Sequence, residues 1–309
     1  MTARTQRTRL IAAGVAAASL SLALTACSSS STDEGGGAPN ATATVSEVKV
    51  DDKLAALVPA DVKSSGKIIV GSDASYAPNE FKDDSGKIIG MDIDLANAIA
   101  ARLGLKADVQ DSQFTAIIPG IQSNKFQLGM SSLTDNKERE QVVDMVTYFN
   151  AGSAIAVKKG NPDKISADDL CGKKVAVQTG TTQAQEIVDV RNPACAQAGK
   201  PGVVNDGDKF DLQTDVTNAV VSGRDQAMMA DSPVIDYAVK QSGGQLEKIG
   251  TTYDSAPYGI ALAKGAALAP AVQGAVQSLI DDGTYKQILT KWGVEAGALD
   301  KSTLNGAVS

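Results

Sequence analysis

Residues 67–104 read KIIVGSDASYAPNEFKDDSGKIIGMDIDLANAIAARLG. The opening run, KIIVGSD (67–73), is a buried strand that ends in a polar turn. The closing run, MDIDLANAIAARLG (91–104), has Leu95, Ala98, Ile99 and Leu103 on one helical face, acids in its first turn and Gly104 as its stop. Strand, turn and helix then recur downstream. QLGMSS (127–132) precedes DNKEREQVVDMV (135–146), GKKVAVQTG (172–180) precedes TTQAQEIVDV (181–190), and QAMMAD (226–231) precedes SPVIDYAVKQ (232–241). Repeated β-then-α order predicts α/β layers with mainly parallel strands, whose ligands gather beyond the carboxyl ends of those strands. Two further extended segments, AGSAIAVKKG (151–160) and SAPYGIALAKG (255–265), separate the units into two series and so predict two lobes.

The first 26 residues stand apart from this pattern. Arg4, Arg7 and Arg9 precede the apolar run LIAAGVAAASLSLAL (10–24), a basic start and apolar centre typical of a secretory signal. The run ends in LTAC, which resembles the bacterial lipoprotein box, so Cys27 is the expected lipidation site and lipid chains would anchor the chain at the membrane. Residues 27–48 form a Ser-, Gly- and Thr-rich spacer with too little apolar surface to order itself, a flexible tether. Past Cys27 no apolar run approaches the ~20 residues needed to span a bilayer. With Cys27 set aside, Cys171 and Cys195 remain, an even number in an exported chain, which predicts a disulfide between them. Two cysteines without a histidine fall short of a zinc site.

Charge narrows the function. The signal holds three of the 29 basic residues and no acid, which leaves 26 against 36 acids, a net −10. An acidic chain is a poor partner for nucleic acid. The chain has no histidine, so the commonest general base and the Ser–His and Cys–His pairs are absent, which weighs against a hydrolase.

MSSLTDNKERE (130–140) crowds Ser131, Ser132 and Thr134 ahead of Arg139. Asp135 and Glu138 have capping-box spacing, which starts a helix near Thr134 or Asp135 and puts Arg139 about one turn inside. Helical side chains lean toward the N-terminus, so the guanidinium can fold back over the hydroxyl-rich loop and grip a carboxylate. A capped surface helix accounts for the same stretch.

GSDASYAP, GMDIDLANAIAARLG, MSSLTDNKERE, VAVQTGTTQ, MMADSP and DGTYKQILTKWG occur in the order and spacing of the family 3 extracellular solute-binding proteins. The resemblance covers about residues 66–293. It implies a two-lobed periplasmic-binding-protein-like fold of type II, with a cleft between lobes joined by a two-segment hinge near 151–154 and 255–258. Residues 49–152 and 256–309 would form lobe 1 and 153–255 lobe 2. It further implies that Arg139, helped by Thr134 and Thr182, holds the α-carboxylate of an amino acid, that Ser132 contacts the same backbone end, and that Asp231 holds the α-ammonium. Tyr76 and Phe114 match the aromatic pair that sandwiches ligand carbons, and Asp73 lines the pocket for the variable group. Arg139 and Asp231 balance a zwitterion, so Asp73 favours a cationic or amide side chain, with glutamate possible. Gln178 and Thr179 add polarity to the pocket floor. Asn79 and Met91 depart from the aromatic residues usual at their positions.

The implied function is a receptor of an ABC importer, without cofactor or metal. It is lipid-anchored on the extracellular face of the cell membrane, monomeric, and partnered by a permease and its ATPase. Two other readings stay open. One is an exported dehydratase-like enzyme, with Glu80 or Asp73 as its general acid. The other is an amino-acid-sensing surface module without transport.

Overall fold

The computed structural model describes residues 46–308. The signal (1–26), Cys27 and the tether as far as residue 45 lie outside the described residues. The last residues assigned to the tether belong instead to the body. Ser46 donates from its N–H and its Oγ to Gln287 Oε1, at 3.1 and 2.9 Å, and Val48 packs against the core. No described helix is long and apolar enough to cross a membrane.

Eleven strands are described: β1 (Lys67–Ser72), β2 (Ser75–Tyr76), β3 (Glu80–Lys82), β4 (Ile88–Ile89), β5 (Lys106–Asp111), β6 (Leu128–Gly129), β7 (Val143–Lys158), β8 (Val175–Gln178), β9 (Asp208–Phe210), β10 (Ala227–Asp231) and β11 (Leu246–Ala263). Eight form one sheet in the order β5-β1-β6-β11-β7-β10-β8-β9, and β2, β3 and β4 form a small antiparallel sheet. Two parallel trios, β5-β1-β6 and β10-β8-β9, flank an antiparallel central pair. This is the two-lobed α/β architecture expected from the alternating strand and helix patterns.

That central pair is unusual in length. β7 has 16 residues and β11 has 18, where about 5–6 is ordinary. They pair from Leu246–Lys158 at one end to Ala263–Val143 at the other, and each serves both halves of the sheet. Their register slips between Ile249 and Tyr253, between Tyr253 and Ala256, and between Tyr258 and Gly259. Gly152 lies opposite this irregular stretch, where a Cβ would sit 2.5 Å from the Tyr253 carbonyl oxygen.

The cores divide on either side of the slip. On one side Ile68, Leu95, Ile99, Tyr148, Leu262, Leu279 and Trp292 are buried together. On the other, Ala154, Ala176, Val216, Met228 and Ile235 form one cluster and Ile155, Val177, Ile187 and Met229 another. The helix Met91–Arg102 buries Leu95, Ala98 and Ile99 as its periodicity predicts, Leu103 is buried just past its end, and Gly104 follows at φ +72°. Helix Asn192–Gln197 carries Cys195 to Cys171, and the two form a disulfide.

One predicted element is corrected. The helix expected over 135–146 is a single turn, Lys137–Glu140, and β7 begins at Val143. Val143, Met145 and Val146 are wholly buried and pair with Ala263, Ala261 and Ile260 of β11. A short apolar run satisfies helix or strand periodicity equally, and here the β-branched residues and the waiting sheet edge decide it.

Candidate functional site

The carboxyl ends of the parallel strands converge on one small cavity, as the topology requires. Tyr76, Phe114, Ser132, Thr134 and Arg139 line it from one side of the sheet, and Thr181, Thr182, Gln183 and Asp231 from the other. Seven of the eight residues predicted to meet a ligand are among them; Asp73 is not.

Arg139 is placed by its short helix. The Asn136 side chain accepts from the Arg139 N–H (2.8 Å), so the cap is Asn136 and the Asp135–Glu138 box does not form. Asp135 turns inward and accepts from the Gly306 N–H (2.8 Å). The guanidinium folds back as expected, Nη1 donating to the Thr134 carbonyl (2.9 Å). Nη2 reaches the Gly180 carbonyl across the cleft (3.3 Å), and the group lies 5.6 Å from the Phe114 ring. Burial lowers the Arg139 pKa and Asp231 opposes that shift. Arginine starts so high that it stays a cation.

Asp231 ends β10 and sits at the N-cap of helix Ser232–Gln241 without capping it through its side chain. Pro233 lacks an N–H, so the first turn has one donor fewer to satisfy and the carboxylate is free to face the cleft. Its Oδ1 accepts from Gln183 Nε2 (2.8 Å) and its Oδ2 from the Tyr258 hydroxyl (2.7 Å), while its N–H donates to the Tyr76 hydroxyl (3.1 Å). Desolvation raises its pKa, against these hydrogen bonds and Arg139. The same burial drives Tyr76 and Tyr258 well above the ordinary tyrosine range, so both remain neutral donors.

Thr182 opens helix Thr182–Glu186 but does not cap it. Thr181 does, accepting from the Ala184 N–H (3.2 Å). Ser132 sits at φ +51°, donates from its Oγ to Glu80 Oε2 (3.2 Å) and receives Asn79 Nδ2 (2.9 Å). Asn79 therefore acts on the site through Ser132, and Met91 is core.

Asp73 is buried beside the cavity. It accepts from Ser75 Oγ (2.6 Å), the Phe114 N–H (2.9 Å) and, across the cleft, Gln178 Nε2 (3.1 Å). Desolvation raises its pKa. Gln178 also donates to the Asp211 carbonyl (3.0 Å), and Thr179 Oγ1 to that of Phe210 (3.0 Å). Glu80, the other acid considered for chemistry, lies below Ser131 and Ser132 and does not line the cavity.

Gln183 and Thr181 are the lining residues that sequence reading missed. A threonine three residues before a helical N–H is a recognisable cap signal, but nothing local marks Gln183, whose role depends on Asp231 48 residues away. The cavity volume is about 10 Å³, close to the room one water molecule needs. Among the described residues no group of three or more His, Cys, Asp or Glu side chains is arranged to hold a metal ion.

The sequence pattern of the bacterial extracellular solute-binding proteins, family 3, matches residues 68–295. The arginine-binding protein ArgT of Corynebacterium glutamicum is 33% identical over 297 residues, covering 96% of each chain. Two solved structures of an ancestral arginine-binding protein, one bound to arginine and one to glutamine, each superpose with a TM-score of 0.67. They are 40% and 39% identical, cover 74% of this chain, and are themselves covered to 98% and 99%.

Proposed function

This chain belongs to the family 3 bacterial extracellular solute-binding proteins, and we propose that it is the receptor of an ABC importer, capturing a polar amino acid by closure of two lobes. Arg139 and Asp231, offered from opposite sides of the central strands into one buried cavity, carry the reading. A zwitterion supplies the countercharge to each, so its binding energy is realised only when the lobes meet.

Arg139, Thr134 and Thr182 receive the α-carboxylate with Ser132 beside them, and Asp231 receives the α-ammonium. Tyr76 and Phe114 enclose the ligand carbons. Asp73 meets the variable group once Gln178 releases it, a role that suits a cationic or amide side chain. The arginine-binding relative and the arginine and glutamine complexes support this class.

Residues 49–152 and 256–309 form the first lobe and 153–255 the second. They bend about the slipped register near 151–154 and 255–258, as a hinge requires a few residues able to absorb backbone change. A lipid on Cys27 would hold the receptor, as a monomer, on the outer face of the membrane beside its permease and ATPase. The ligand leaves chemically unchanged: Glu80 is engaged by the Ser131 and Ser132 hydroxyls outside the cavity, and Asp73 serves the variable group as a countercharge.

A thermal-shift panel of the purified, ligand-stripped protein against the twenty amino acids tests this. A ligand at 100 times its dissociation constant adds about 2.7 kcal/mol, or about 5–10 °C for a body of this size. Selective shifts with arginine, lysine or glutamine, each recovered intact, are expected. A protein that no amino acid stabilises is not this receptor.

A further inference from the structure

Beneath the Ser131–Ser132 turn lie two carboxyl groups, Glu80 from β3 and Asp92 from helix Met91–Arg102, both with no solvent-exposed surface. They are brought together by Gly90, at φ +138°, where a Cβ would sit 2.1 Å from the Asn79 carbonyl oxygen. That close approach lets the Met91 and Asp92 N–H groups bond the carbonyls of Pro78 and Asn79, at 3.1 and 2.9 Å. We propose that Glu80 and Asp92 hold one proton between them and act as positioning residues for the ligand site, fixing the Ser131–Ser132 turn so that affinity falls when the proton is lost at alkaline pH. The inference rests on the receptor reading above.

The hydrogen bonds locate the proton. Asp92 Oδ2 accepts from the Tyr148 hydroxyl (2.7 Å) and the Ser132 N–H (2.8 Å). Glu80 Oε1 accepts from Ser131 Oγ (3.1 Å) and Oε2 from Ser132 Oγ (3.2 Å). Asp92 Oδ1 is buried and meets no N–H or hydroxyl donor of another residue type; the group it can pair with is the Glu80 carboxyl. Two ionised carboxylates in contact and out of water repel strongly, whereas one shared proton removes a charge and satisfies that oxygen. Asp73 beyond β1, Tyr76 on β2 and Tyr148 on β7 face the pair, and none of them is a cation. Burial lifts Glu80 well above the usual carboxylate range and Asp92 to about 6, the direction expected of a buried pair that shares a proton.

Ser132 depends on this arrangement. Its left-handed backbone is unfavourable for a serine and persists because Asp92 holds its N–H and Glu80 its hydroxyl. Loss of the proton sets a second negative charge under the turn that receives the ligand carboxylate. Both that repulsion and the loosened turn weaken binding.

The test is calorimetric titration with arginine from about pH 6 to about pH 9.5, on the wild type and on Glu80→Gln, which imitates the protonated acid. Titration of the ligand's own ammonium affects both proteins and cancels in the ratio of their dissociation constants. That ratio, wild type over variant, should climb above the titration of the pair by as much as about tenfold per pH unit, the limit for one linked proton. A ratio that stays level overturns the proposal. Should Glu80→Gln fail to fold, Asp92→Asn replaces it, and the infrared spectrum of the wild type at neutral pH must still show a buried carboxylic C=O band that disappears at high pH. Absence of that band also overturns the proposal. No arginine binding by the folded wild type at any pH would count against the receptor reading, while the infrared band decides the shared proton separately.

Discussion

Replacing Asp231 by Asn keeps the size of the side chain and removes its charge. Asp231 is 7% exposed, its carboxylate is held by Gln183 and Tyr258, and its ionised form bears a desolvation penalty. The amide relieves that penalty and loses one favourable contact, so stability without ligand should move by no more than about 1.5 kcal/mol. Binding is affected far more. The ligand ammonium would be buried against a neutral group, and Arg139 would lose the attraction that offsets its own burial. Truncating one partner of a buried charge pair costs about 2–5 kcal/mol, a dissociation constant weaker by about 30-fold to about 4,000-fold. Calorimetric titration with arginine measures the affinity, and a melting curve without ligand measures the fold. An affinity within about threefold of wild type would refute the zwitterion argument. So would a collapse in unliganded stability large enough to explain the weaker binding by itself.

Three more outcomes follow from the fold. Gly90→Ala drives a Cβ against backbone and demands a backbone angle alanine avoids, so at least about 3 kcal/mol should be lost; a melting temperature lowered by less than about 5 °C would contradict this. Cys171→Ser with Cys195→Ser opens a loop of 24-residue separation, worth about 3 kcal/mol in the chain-entropy model, and chemical denaturation should show that loss with arginine affinity preserved. Asp135 is lifted by burial to about 7, so its protonated form stabilises the fold fully below its unfolded value near 4, and that stability is lost as pH rises through about 7. Melting temperatures from about pH 5 to about pH 8.5 should therefore decline less steeply in Asp135→Asn than in wild type, and equal slopes would show the carboxyl to be indifferent.

Much of this site was legible because its parts are local. Arg139 folding over Thr134 needs only a turn of helix, and Asp231 before Ser-Pro needs only three residues. Helix Met91–Arg102 announced itself by period and by Gly104. What the sequence could not carry were relations between distant residues. Asp73 and Gln178 are 105 positions apart, and no pattern in either segment foretells that they bond across the cleft and take Asp73 out of the cavity wall. Gln183 is hidden for the same reason. Val143, Met145 and Val146 misled because their burial comes from β11, which enters the sheet more than 100 residues later.

The paired strands β7 and β11 also dictate an order of assembly. Apart from Tyr76, every buried residue of the two apolar clusters on one side of the slip falls within residues 154–246, together with the parallel strands β8, β9 and β10. The other half joins Ile68 and Leu95 to Leu262, Leu279 and Trp292, from the two ends of the body, with the whole of the first lying between. A chain emerging N-terminus first would therefore complete its later-coded half before its earlier one. Closing so long a loop is slow compared with local helix and hairpin formation. Until helix Thr284–Trp292 arrives, the apolar face of Met91–Arg102 has no cover on that flank. A chain stopped after residue 255 would lack the last eight residues of β11 and the helix Thr284–Trp292, and so leave the Ile68 and Leu95 side open.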